Sequence, residues 1–426
     1  MSHDPALTRR EAAARVARSC LGVGLLPGVF STRAAEIAPD PGRPATAKRA
    51  IYLYMNGGMS HLDTFDPKEG VPTAGPLKPI ASSADGVRVS EYMPLTAKQM
   101  HLATLVRMTS TQGAHEPGNY YMHTSYDPRG TIRHPGLGAW LDAMQPGAGH
   151  PSLPNYAIIG GESRHPGAGF LPPSHAPLFV NNPENGLRNV VPRAGLTIDD
   201  VASRLATATA LDGEFRTAHP QRNVEAYPKM YDRALAMMKS EDLQAFDLAE
   251  ESAAMRDTYG REPFGQGCLL ARRLVERGVR FVEVSLGGWD THSTNFVLMP
   301  GLCATLDRGL AALLSDLHLR GLLDDTLVVL TTEFGRTPDI NQNAGRDHYP
   351  LAFTALLAGG GVKKGFIHGH TDKEGREIES NPVRIPDLNA TLATALGLPL
   401  ERQLFSATKR PFTVADKGQP VWDVFA

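Results

Sequence analysis

The chain has 426 residues, 42% of them apolar, with 43 lysines and arginines against 45 aspartates and glutamates. That length supports a substantial core, and a net charge of −2 without a basic stripe argues against nucleic acid as a partner. The three cysteines, Cys20, Cys268 and Cys303, include no close pair that would suggest a zinc site, so Cys268 and Cys303 read as buried free thiols.

At the N-terminus, Arg9-Arg10 precedes a weakly apolar run from Cys20 to Phe30 and then small residues, Ser31 to Ala35. This pattern predicts a twin-arginine export signal over residues 1–38 and a periplasmic or exported protein. The run is too short and too rich in Gly and Pro to span a membrane, and no other segment reads as transmembrane, so none is expected in the mature protein. Residues 39–46 read as a polar linker and residues 47–426 as a single domain.

Beyond the linker, short apolar runs end abruptly in Gly and polar residues. Ala50–Met55 ends in Asn56-Gly57-Gly58, Leu102–Met108 in Thr109-Ser110-Thr111, and Tyr156–Ile159 in Gly160-Gly161. Val279–Leu286 ends in Gly287-Gly288-Trp289-Asp290, Leu327–Leu330 in Thr331-Thr332-Glu333, and Ala352–Ala358 in Gly359-Gly360-Gly361. Continuous runs of this kind mark strands covered on both faces. Between them lie helical patterns. Pro228–Tyr259 reads as one long helix with Pro in its first turn. Cys268–Arg277 closes on Gly278, Leu302–Leu319 carries a leucine stripe, and Asp387–Leu396 stops at Gly397. Residues 146–192 read as loops. The alternation predicts an α/β protein, doubly wound, with a mostly parallel central sheet and helices on both faces.

In such folds ligands bind beyond the carboxyl ends of the strands. The acids and histidines cluster there: His61 and Asp63 after the first run; His115, Glu116 and His123 after the second; Asp290 and His292 after the 280s run; Glu333, Arg336, Asp347 and His348 after the 330 run. Asp290 and His292 stand at i and i+2, so in an extended segment both side chains point the same way and can converge on a zinc, manganese or iron ion. His61 and Asp63 share that spacing. The other histidines, including His134, His150, His165 and His175, read as surface or loop residues.

The stretches GGWDTH at 287–292, TEFGRTP at 332–338, GRDH at 345–348 and GGMSHLDTFD at 57–66 resemble a bacterial family, domain of unknown function 1501. That family is in turn similar to the alkaline phosphatase and sulfatase superfamily. The resemblance implies an alkaline phosphatase-like fold and one or two divalent ions, zinc or manganese, with calcium as the sulfatase alternative. It places Asp290, His292 and His348 on one metal, with Glu333 and Phe334 at the positions of an Asp-His pair. Asn56 falls where a metal-binding Asp normally ends the first strand, and His115 where the nucleophile starts a helix. His115 therefore reads either as an attacking imidazole or as a ligand, with the ligand reading preferred. Phe334 cannot bind metal and an amide at Asn56 is a weak ligand, which implies an impaired second site.

The expected function is an exported metal-dependent hydrolase of phosphate or sulfate esters acting through activated water, with Arg336 and Arg346 clamping a small anionic ester. The rival expectation is a non-catalytic exported protein that keeps the fold to bind metal or a protein partner.

Overall fold

The computed structural model describes residues 45–161, 165–187, 190, 192–213, 217 and 222–426. The expected export signal and nearly all of the linker lie outside the described residues.

Nine strands form the central sheet: β1 (Arg49–Met55), β2 (Ala103–Thr109), β3 (Tyr156–Ile159), β4 (Leu178–Val180), β5 (Phe281–Leu286), β6 (Thr326–Thr331), β7 (Phe353–Ala358), β8 (Phe366–His368) and β9 (Val383–Arg384). Their spatial order is β8-β2-β7-β6-β1-β5-β3-β4, with β9 also on β2. β1 pairs in parallel with β5 and β6, and β3 with β5 and β4. β7 alone runs against its neighbours, β2 and β6. Because β2 and β6 both oppose β7, they run the same way. The carboxyl ends of β1, β2, β5 and β6 therefore share one edge, as the sequence predicts for a mostly parallel sheet.

Alternate residues of β1 enter two separate cores. Ile51, Leu53 and Met55 pack on one face with residues of Pro263–Glu276 and Asn295–Leu319. Ala50, Tyr52 and Tyr54 pack on the other with residues of Leu137–Met144 and Ile385–Ala395. This is the period-two consequence of the pleat, and it explains why the strand reads as apolar throughout.

Three expectations need correction. The long helix from Pro228 to Tyr259 is instead a helix over Arg222–Lys239, with Pro228 inside it, then 3-10 turns, then a helix over Ala253–Tyr259. The break is capped: Ser240, Asp247 and Ser252 each accept from a backbone N–H just ahead, which favours restarting over continuing. Residues 146–192 are not all loop, because Leu178–Val180 adds an edge strand. Asn295–Leu319 is long and apolar enough, by length and composition, to cross a membrane, which the sequence reading passed over. Met299, Leu306, Leu310, Leu313 and Leu317 on it are buried in the core.

Candidate metal centre

Four segments meet at the shared edge. After β2 the chain enters the helix α1 (His115–Thr124), with His115 at its first position. After β5 the loop carries Trp289, fully buried, and then Asp290 and His292 at the surface. After β6 come Glu333 and a two-residue antiparallel ladder in which His348 pairs with Arg336. The loop after β1 presses onto the second of these segments. Gly57 has φ +117, and a Cβ there would lie 2.7 Å from the Asp290 backbone nitrogen, so only glycine permits this approach.

Three imidazoles converge on one carboxylate oxygen. The Nε2 atoms of His115, His292 and His348 lie 3.2, 3.1 and 3.4 Å from Asp290 Oδ1. Each ring uses its other nitrogen to donate. His115 Nδ1 donates to Glu333 Oε1 at 2.7 Å, His292 Nδ1 to Asp347 Oδ1 at 2.7 Å, and His348 Nδ1 to the Gly113 carbonyl at 2.8 Å. With the proton fixed on Nδ1, each neutral ring turns the lone pair of Nε2 toward the same point. The Nε2 atoms of His292 and His348 face each other across only 3.0 Å, and His115 Nε2 is buried without a hydrogen-bond partner. So many lone pairs together need a cation. Three nitrogens and an oxygen suit zinc or manganese, and acceptors behind the rings are what metal-binding histidines require.

The electrostatics agree. Burial opposes the ionisation of Asp290, but the hydrogen bond and charge of Arg336, then His115, hold its carboxyl down at about 2. The hydrogen bond to Glu333 raises His115 against its partial burial, making it a more basic donor. Burial, and then the charge of Arg336, lower His348.

The structure divides the sequence-predicted residues. Asp290, His292, His348 and His115 come together, and the donor atoms of His115, Asp290 and His348 all lie within 4.8 Å of one another. Glu333 does not face that point. It is fully buried and accepts from Tyr54 Oη, Gly57 N–H and Thr332 Oγ1 as well as His115, so it orients a ligand instead of being one. Asp63 is a correction: both of its oxygens are taken by Arg346 and one also by Asn295. His61 is fully buried, and its Nε2 donates to the Gly375 carbonyl. Asn56 lines the cavity beside His115.

Neither arginine can clamp an anion. All five N–H groups of buried Arg346 are used, on Asp63, Thr73, Thr337 and Pro338. Arg336 is equally buried and donates to the carbonyls of Gly57, Gly58 and Arg346 and to Asp290. Both guanidiniums neutralise loop carbonyls and acids, which is what fully buried arginines must do. Phe334 packs on the rings of His115 and His348, with centroids 5.0 and 4.7 Å away.

The sequence reading counted Asp347 among the acids after the 330 run but gave it no role; its contact with His292 was legible only once the ladder brought residues 292 and 347 together. It also misplaced His165, which is buried beside His123 and Glu283, at 3.2 and 3.3 Å from that carboxylate. The signal was an acid inside an apolar strand, Glu283. This group resembles a metal site in composition, but His165 Nδ1 accepts from the Gly167 N–H. Its proton therefore sits on Nε2, which donates toward Glu283 and offers no lone pair there.

The family model described as protein of unknown function (DUF1501) matches residues 47–425. The chain belongs to the DUF1501 family. Among solved structures, this DUF1501 protein is similar to Ps i-CgsB, at 13% identity and TM-score 0.42, over 89% of this chain and 76% of that one. It is similar to the PsFucS1 sulfatase from Pseudoalteromonas sp., at 12% identity and TM-score 0.39, over 89% and 74%. A third is a protein in the alkaline phosphatase superfamily from Vibrio parahaemolyticus, at 12% and 0.33, over 85% and 72%. A search of curated proteins found no match.

Proposed function

We propose that this DUF1501 protein is an exported hydrolase of phosphate or sulfate esters that works with a single divalent ion, zinc or manganese, held by His115, Asp290, His292 and His348. One observation carries the reading: three imidazoles, each with Nδ1 donated to a fixed acceptor, turn Nε2 onto one carboxylate oxygen. The twin arginines at positions 9 and 10 support export.

When bound, the ion supplies Lewis acidity to an ester oxygen and makes a nearby water acidic enough to attack near neutral pH. The protein's own residues do the rest. Glu333 and Asp347 fix the tautomers of His115 and His292. Arg336 holds Asp290 ionised. The side chains of Asp290 and His292 are 50% and 45% exposed, which leaves the centre open to an ester from solvent. Such an open side is what separates catalytic from structural zinc sites.

A second reading is non-catalytic metal binding, favoured by the buried, fully engaged Arg346 and by Phe334 packed against the ligand rings. Protein purified without chelator should contain about one zinc or manganese per chain and should hydrolyse aryl phosphate or aryl sulfate. His348→Ala should lose the ion and reduce turnover by a factor on the order of 10² or more. Bound metal without turnover would leave the second reading standing, and protein with no transition metal would end both.

A further inference from the structure

A cavity of about 690 Å³ opens directly from His115. It is far larger than a lone sulfate or phosphate group needs and falls within the range of specific small-molecule sites. Its walls include Arg129 and Arg133 on the loop after α1, and Asn119 from α1 itself. Arg129 and Arg133 are both exposed, and neither makes an ion pair among the described residues. Arg133 spends one N–H on the His165 carbonyl at 2.6 Å, while among the described residues no side-chain hydrogen bond holds Arg129. Glu116 is the only carboxylate among the described lining residues, and it is already engaged. The exposed Asp416 also feels the charge of Arg129, although no ion pair joins them.

Asn119 gives a second, independent indication. It is only 9% exposed, it lines the same cavity, and its Oδ1 has no hydrogen-bond partner. A buried amide oxygen left unpaired is costly, so it calls for a donor from whatever fills the cavity. Arginine guanidiniums call for oxyanions. The buried Arg336 and Arg346 are spent inside the protein, so among the described lining residues these two exposed arginines are the cationic groups that a ligand can reach.

We propose that this cavity selects an ester whose body carries hydroxyl groups and a second anionic group: a saccharide with at least two sulfate or phosphate substituents. This deepens the hydrolase reading and rests on it for which ester is cleaved, but the binding itself does not require turnover. One substituent lies at the metal centre, the second on Arg129 and Arg133, and a sugar hydroxyl donates to Asn119 Oδ1.

Calorimetric titration of the metal-loaded full chain separates the possibilities, using a disulfated disaccharide, its monosulfated counterpart and inorganic tripolyphosphate. The disulfated sugar should bind at least tenfold more tightly than the monosulfated one. Arg129→Ser, on an exposed loop where folding is not at stake, should remove most of that difference, and Arg129→Glu should remove all of it. Tripolyphosphate has charge but no hydroxyls, and it should bind more weakly than the disulfated sugar. Equal affinity for the two sugars, or less than a twofold effect of Arg129→Glu, would overturn the proposal, as would a preference for tripolyphosphate. Arg129-dependent preference for the disulfated sugar in wild-type protein that holds its metal but hydrolyses neither aryl sulfate nor aryl phosphate would remove the hydrolase reading and leave this one intact.

Discussion

At the scale of single residues, burial decides which histidines are ligands and which are scaffold. His115, His292 and His348 keep access to solvent and share one acid. His61 looked equivalent by spacing, yet it is sealed within the loop after β1, where burial holds its pKa down at about 4. Asp66 and the Gly375 carbonyl favour its charged form, while Arg107 and Arg346 oppose it, and desolvation is the largest influence. The sign follows from the unfolded chain, where the imidazole titrates near 6.5. Between those two values the unfolded state binds a proton that the folded state refuses. Stability from this group is therefore complete above about pH 6.5 and is lost on acidification toward pH 4, by about 3 kcal/mol in total. Urea denaturation at pH 7 and pH 4.5 should show His61→Gln losing less stability than the wild type over that interval. Equal losses would mean that His61 is not the group that titrates.

At the scale of elements, the strands were legible because burial on both faces leaves continuous apolar runs, and six of them were read to within two residues. The direction of β7 was not legible, since an antiparallel strand buried on both faces has the same composition as a parallel one. Nor was the partition of the polar residues. His61-x-Asp63 and Asp290-x-His292 have the same local pattern, and only the tertiary path sends Arg346 to the first and His348 to the second. The Asp63–Arg346 pair ties the loop after β1 to the loop that delivers Asp347 and His348, with both side chains fully buried. Removing one partner leaves an uncompensated buried charge, a loss on the order of 3–5 kcal/mol. Arg346→Met should therefore lower the urea midpoint strongly, without the selective loss of sulfate or phosphate affinity that an anion clamp would show. A normally stable variant with weakened anion binding would restore the clamp role rejected above.

At the scale of the whole molecule, the proposed ligands come from three segments far apart in the chain, joined only by the folded sheet edge. His115 lies 218 positions from the Glu333 that orients it, and His292 lies 56 positions from His348. An unfolded chain cannot present this set, so an ion that binds it binds the native state alone and must stabilise the fold by mass action. At a free concentration a thousandfold above Kd, that linkage is worth about 4 kcal/mol. Divided by the unfolding entropy of a domain of this length, it corresponds to a rise in Tm of about 5 °C. Calorimetric melting of chelator-treated protein should therefore begin low and recover with added zinc or manganese. His292→Ala should melt at the same temperature with and without the ion, because its loss removes one of the four donors and releases Asp347 from its partner. If chelation leaves the wild-type Tm unchanged, the converging imidazoles share a proton instead of a metal.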